Sequence, residues 1–131
     1  MFQVLQPAGW AKPSGYSNGI VAAGRQVFIA GQVGWNEQEE FESDDFVLQT
    51  GQTLENIVSV LAEAGGTPEN IVRMTWYITD KNEYQRRLKE VGQCYQRIMG
   101  RHFPVMAMVQ VAALIENRAK VEIEATAVLA D

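Results

Sequence analysis

The 131-residue sequence predicts a single α+β domain, residues 1–131, with two helices on one face of a mixed six-stranded sheet. Three observations carry that expectation. Apolar residues make up 47% of the chain, enough for one core. Two stretches place apolar residues at spacings of three and four, and the stretches around them alternate with a period of two. In chain order the elements read β-β-β-α-β-α-β-β.

Each element has its own signal. Phe2–Gln6 alternates over a short strand, and the segment from Pro7 to Gly19, rich in Pro, Gly and Ser, reads as a loop. Ile20–Ala23 and Val27–Val33 flank Gly24–Arg25–Gln26, the pattern of two strands joined by a hairpin turn. Gly34 to Asp44 is polar and acidic, a surface loop. Phe46, Leu54, Ile57, Val58 and Leu61 then share one helical face, with Ser43, Asp44 or Asp45 to cap its start and Gly65–Gly66 to end it. Thr67–Pro68–Glu69 opens a short helical turn. Met74, Trp76 and Ile78 alternate with Arg73, Thr75, Tyr77 and Thr79 along a half-buried strand. Asp80 with Glu83 resembles a capping box for a second helix carrying Tyr84, Leu88, Val91, Tyr95 and Ile98, stopped by Gly100 and Pro104. Two more alternating strands follow, Val105–Val111 and Lys120–Ala127. Two helices leave one face of such a sheet bare. With Met106 and Met108 assigned to that face, it is expected to be buried by self-association.

Composition narrows the function classes. The net charge is −5 and the eleven Lys and Arg are scattered, with only Arg86, Arg87 and Lys89 close together, which argues against a nucleic-acid partner. The longest apolar run, Val105–Val109, is far short of the roughly 20 residues a spanning helix needs, so no membrane partner is expected. The residues after Met1 lack the basic and apolar regions of a secretory leader. One cysteine, Cys94, excludes an internal disulfide and suits a reducing, cytoplasmic setting. One histidine, His102, and no ligand-like spacing lead to an expectation of no metal and no cofactor.

The C-terminal third carries more specific information. Phe103–Pro104–Val105–Met106–Ala107–Met108–Val109–Gln110–Val111, then Leu114, then Val121–Glu122–Ile123–Glu124–Ala125, resembles the signature of the RidA/YjgF family. Pro13–Ser14–Gly15–Tyr16–Ser17 is similar to that family's Gly–Pro–Tyr loop, and Phe28–Ile29–Ala30–Gly31–Gln32 to its Ser–Gly–Gln strand. Gln52–Thr53–Leu54–Glu55–Asn56 and Ile71–Val72–Arg73 fit as well, so the resemblance spans nearly the whole chain. It implies a chorismate-mutase-like fold, a homotrimer with clefts between subunits, and cofactor-free hydrolysis of enamines or imines derived from amino acids.

The resemblance also assigns roles. Glu122 falls on the catalytic glutamate that positions water, Tyr16 on the tyrosine that closes the cleft, and Gly31 on the glycine whose backbone approaches the ligand; Met108 adds backbone groups. Glu124, on the same strand face, reads as structural. Met106 occupies the position of the arginine that holds the substrate carboxylate, Ala30 that of a serine, and Leu88 that of an asparagine found in some members. A thioether has no charge and accepts hydrogen bonds weakly, so Met106 cannot replace a guanidinium fork. Cys94 reads as a buried helix residue, His102 as a helix-end residue, and Trp10 as a packing residue. The expectation is an imine or enamine hydrolase without the usual carboxylate selectivity. The alternatives are a non-catalytic trimer that binds a small ligand and a protein-interaction role through exposed apolar surface.

Overall fold

The computed structural model describes residues 2–130, so Met1 and Asp131, the ends of the expected 1–131 domain, lie outside the described residues. The elements in order are β1 (Phe2–Leu5), β2 (Gly19–Ala22), β3 (Arg25–Val33), α1 (Phe46–Ala62), a 3-10 turn (Pro68–Asn70), β4 (Ile71–Ile78), α2 (Lys81–Arg86), α3 (Leu88–Met99), β5 (Val105–Gln110) and β6 (Val121–Leu129).

The six expected strands divide into two sets. Four form a mixed sheet in the order β3-β6-β4-β5, with β4 parallel to β5 and antiparallel to β6. The other two, β1 and β2, form a separate antiparallel pair. The expected hairpin between β2 and β3 is therefore absent. Alternation and a glycine turn define strands locally, but they do not choose a strand's partner. Here β3 takes the long partner β6, from Arg25↔Leu129 to Val33↔Glu122, and β2 takes β1. Gly24 still turns the chain. Its φ is +145°, and a Cβ there would meet the Leu129 carbonyl oxygen at 2.1 Å, so only glycine fits.

The helix α1 starts where an N-cap residue can satisfy its first amides. Asp45 accepts from the Leu48 N–H at 3.0 Å. Its buried side carries Phe46, Leu54, Ile57 and Leu61, which pack on Ile29, Met74, Trp76, Ile123 and Ala125 of the sheet. Gly65, at φ +80°, ends the turn after α1.

The second expected helix is broken into α2 and α3 at Arg87, whose φ of −110° and ψ of 22° leave the helical region. Spacing alone did not reveal this break because the apolar face runs through it unchanged. The guanidinium at the break bonds Asp45 at 2.6 Å and Glu90 at 2.8 Å, tying the start of α1 to α3. The hydrogen bond from Arg87 holds the Asp45 carboxyl below its ordinary range.

Gln49 is a buried polar residue of the core that is fully used. It is 1% exposed, and its amide donates to the Ser43 and Arg118 carbonyls at 3.0 Å while its oxygen accepts from Lys120 N at 2.8 Å. This one side chain ties α1 to the chain entering β6. Gln49→Leu leaves a buried N–H and two carbonyls without partners. It is expected to cost about 2–4 kcal/mol and to lower Tm by roughly 10 °C in a thermal melt.

The register also corrects the expected facing of β5. Met106 pairs with Met74 and Met108 with Trp76, so both methionines lie on the helix side, packed against the core. Period-two alternation identifies two sets of residues without saying which set is inward, and here the set that carries Met106 and Met108 faces the helices. The opposite face carries Arg73, Tyr77, Val109, Glu122 and Glu124, together with Phe28, which is 73% exposed.

Candidate functional site

Most of the site residues singled out from the sequence fall into two places. The first is a cavity of about 910 Å³ between β4 and β5 on one side and α2 and α3 on the other. Tyr16, Met106, Met108 and Leu88 all line it. Tyr16 arrives there because the loop before β2 is pinned to the start of β5. The Ser17 N–H donates to the Pro104 carbonyl at 3.1 Å, and the Ser17 hydroxyl donates to the Phe103 carbonyl at 2.6 Å.

Aromatic groups dominate the rest of the wall: Trp76, Tyr84, Tyr95 and Phe103, with Tyr95 and Phe103 stacked at 6.4 Å between centroids. Burial pushes the Tyr95 phenol well above its ordinary pKa, so it stays neutral, and it donates to the His102 carbonyl at 2.7 Å. Trp76 buries its indole Nε1–H without a partner, an unusual cost in an otherwise satisfied core. The lining includes one charged side chain, Arg101, and no carboxylate.

The second place is a smaller cleft of about 240 Å³ on the opposite face of the sheet, lined by Gly31, Tyr77, Val111, Leu114, Glu122 and Glu124 among others. It lies where β3 bulges against β6, between Ile29 and Gln32. The Glu122 carboxylate leans over Gly31: a Cβ on Gly31 would sit 2.3 Å from the Glu122 Oε2 position. Gly31 is thus the space in which the Glu122 carboxylate rests. Beside it the Tyr77 hydroxyl donates to the Glu124 carboxylate. That hydrogen bond raises the Tyr77 pKa and keeps the phenol protonated. Ala30 lines neither place, and its carbonyl accepts from the Gln32 side chain at 3.1 Å.

Within one chain, then, Glu122 and Gly31 come together, and Tyr16, Met106 and Met108 come together. The two sets face opposite sides of the sheet. Spacing did not single out Tyr77 as a partner of Glu124, although both sit on the non-core phase of their strands. Arg101 and the aromatic lining were also missed. Their signal was weak, because Tyr95 and Trp76 read as core and Arg101 as a residue after a helix end.

Other reactive side chains are held structurally. Cys94 is buried, and burial raises its pKa, so little thiolate forms near neutral pH. The position of His102 after a helix end predicts an interaction with the last helical carbonyls; the ring instead bonds the Ile71 carbonyl at 2.6 Å and packs near Phe2. Trp10 is 63% exposed and lines neither pocket. Among the described residues, no three His, Cys, Asp or Glu side chains gather as metal ligands, and no helix is long and apolar enough to cross a membrane.

Comparison with known proteins gives these features a family. A family profile described as endoribonuclease L-PSP matches residues 10–129. The chain is similar to the human 2-iminobutanoate/2-iminopropanoate deaminase, with 30% identity over 114 residues, covering 86% of this chain and 79% of that protein. The structure of YyfB from Yersinia pestis, described as a protein of unknown function in the conserved Rid family, matches with a TM-score of 0.85 at 34% identity, covering 98% of both chains. Escherichia coli TdcF, solved with bound serine, matches with a TM-score of 0.71 at 30% identity over 98% of this chain and 99% of that one. By motif order, strand arrangement and these matches, the chain belongs to the RidA/YjgF family.

Proposed function

We propose that the protein is a Rid-type hydrolase of an enamine, imine or related small metabolite, working without a cofactor at clefts between the subunits of a homotrimer. The observation that carries this reading is the Glu122 carboxylate seated over Gly31 in a cleft on the face that the helices leave uncovered. The similarity to a human imine deaminase supports the reaction class, and the bound serine in TdcF supports an amino-acid-like ligand.

The reaction requires a group that moves protons from the attacking water to the imine nitrogen. Glu122 takes a proton from water as the water oxygen bonds to the C=N carbon. The carboxylate passes that proton to the nitrogen to give a carbinolamine, then takes the hydroxyl proton and delivers it to the same nitrogen as the C–N bond breaks, releasing the carbonyl and ammonia. Tyr16, Met106 and Met108 form the other wall, contributed by a neighbouring copy. Gly31 and Met108 offer backbone groups, and Ala30 adds no hydroxyl where the resemblance has a serine. One free thiol, buried on α3, fits a cytoplasmic setting, and the net charge of −5 favours a small ligand over RNA.

A second reading, a trimer that binds a small ligand without turning it over, is favoured by one observation. Met106 puts a thioether where the family resemblance has a guanidinium, so the cavity wall loses its carboxylate clamp. Imines freshly generated by an amino-acid oxidase separate the two. The hydrolase reading expects ammonia release above the uncatalysed rate, and the binding reading expects none. For the assembly, light scattering at micromolar concentration is expected to give three times the 14.6 kDa chain mass, and a stable monomer would contradict it.

A further inference from the structure

The cavity between the sheet and α2–α3 contains one unclaimed charge. Arg101 lines it, and no ion pair or side-chain hydrogen bond engages its guanidinium among the described residues. The arginines nearest in sequence differ. Arg87 is held by Asp45 and Glu90, and Arg97 donates to Cys94 at 3.7 Å. No Asp or Glu lines the cavity to neutralise Arg101. Most of the large side chains on the remaining wall are aromatic or thioether, Trp76, Tyr84, Tyr95, Phe103, Met106 and Met108, with the neutral amides of Gln85 and Gln96 beside them. The groove is open on one side, and its wall runs across β4, β5, α2, α3 and the loop before β2, a longer surface than a three-carbon substrate can touch. Planar rings and polarizable sulfurs favour a flat or branched apolar body.

We infer that Arg101 is a relocated anion anchor, and that the cavity selects anionic ligands with a large apolar body. The substrate class is then the imino acid of an aromatic or long aliphatic amino acid, its carboxylate on Arg101 and its side chain against Met106, Met108 and the aromatic wall. This inference rests on the cavity being one half of the Rid cleft. The guanidinium supplies a charge-assisted, fork-shaped pair for the carboxylate that Met106 cannot make. Its position beyond α3 leaves the apolar wall free for the side chain.

Two dyes with the same aromatic framework test the inference by binding alone. One is 8-anilinonaphthalene-1-sulfonate, an anion, and the other is N-phenyl-1-naphthylamine, which is neutral. The full-length protein is expected to bind both, with fluorescence enhancement. Arg101→Gln is expected to weaken the anionic dye about tenfold and leave the neutral dye within about twofold. Gly92 lines the cavity, and a Cβ there meets nothing within 4 Å, so the side chain of Gly92→Trp starts into open space and is expected to crowd the cavity. It is expected to abolish binding of both dyes. Equal affinity of the anionic dye for wild type and Arg101→Gln overturns the anchor, as does an equal loss for both dyes. Dye binding that survives Gly92→Trp overturns the cavity as the site. If the dyes behave as expected but oxidase-generated phenylalanine imine is not hydrolysed, the anchor stands and the hydrolase reading fails.

Discussion

Glu122→Gln is expected to lower kcat on an imine substrate by about 10²–10⁴, the usual contribution of a positioned acid–base group. The substitution keeps the shape of the side chain and its seat over Gly31 while removing the proton acceptor. Glu124 is a poorer substitute, because one of its carboxylate oxygens already accepts from the Tyr77 hydroxyl. Tyr77 cannot take over, because the same bond raises its pKa and keeps it protonated. Gly31→Ala is the companion variant. The new Cβ would collide with the carboxylate tip rather than with backbone, so the fold is expected to survive while Glu122 is displaced. Full kcat in Glu122→Gln, with assembly intact, would place the proton transfer elsewhere. A loss of assembly in both variants would make Glu122 an interface residue.

Deamination of 2-aminoacrylate is expected to be slow compared with Rid proteins that have an arginine at the position of Met106, the residue the family resemblance implies there. Losing a bidentate charged pair at a partly buried site removes roughly 2–5 kcal/mol of substrate binding, a factor of about 30 to several thousand. Met106 is half-buried on the wall of the cavity, so Met106→Arg puts a guanidinium at that wall without evicting a core residue. It is expected to raise kcat/KM on this small substrate by at least about tenfold, with Ala30 limiting the gain. A wild-type turnover matching the arginine-bearing relatives would mean that another group holds the carboxylate of small substrates.

The strands, the caps and the glycines were legible because they depend on local chemistry. Asp45 and Asp80 cap α1 and α2, each accepting from amides of the first turn. Asn70 closes the turn after Thr67 by accepting its N–H at 2.8 Å. The family resemblance placed Gly31 and Glu122 at one cleft together with Tyr16, Met106 and Met108, but the contact of the Glu122 carboxylate with Gly31 is visible only in the structure. What stayed hidden depends on partner choice and facing. No local signal chose β6 over β2 as the neighbour of β3, or said which phase of β5 faces inward. The break at Arg87 depends on Asp45, 42 residues earlier in the chain. Arg101 gains meaning only once Tyr95, Trp76 and the methionines are seen to surround the same space.

The central claim is that the catalytic cleft is made by two copies, with Glu122 and Gly31 from one and the Tyr16–Met106–Met108 wall from another. Subunit mixing tests it directly. Glu122→Gln removes one half, and Met106→Trp blocks the other, so each variant alone is expected to be nearly inactive on its imine substrate. After the two are unfolded together and refolded at equal amounts, about a quarter of the clefts carry two intact halves by random assembly. The account predicts recovery of roughly that fraction of wild-type activity in the mixture. Mixed oligomers that form but remain as inactive as the separate variants would show that Glu122 and Met106 do not serve one cleft across a subunit boundary.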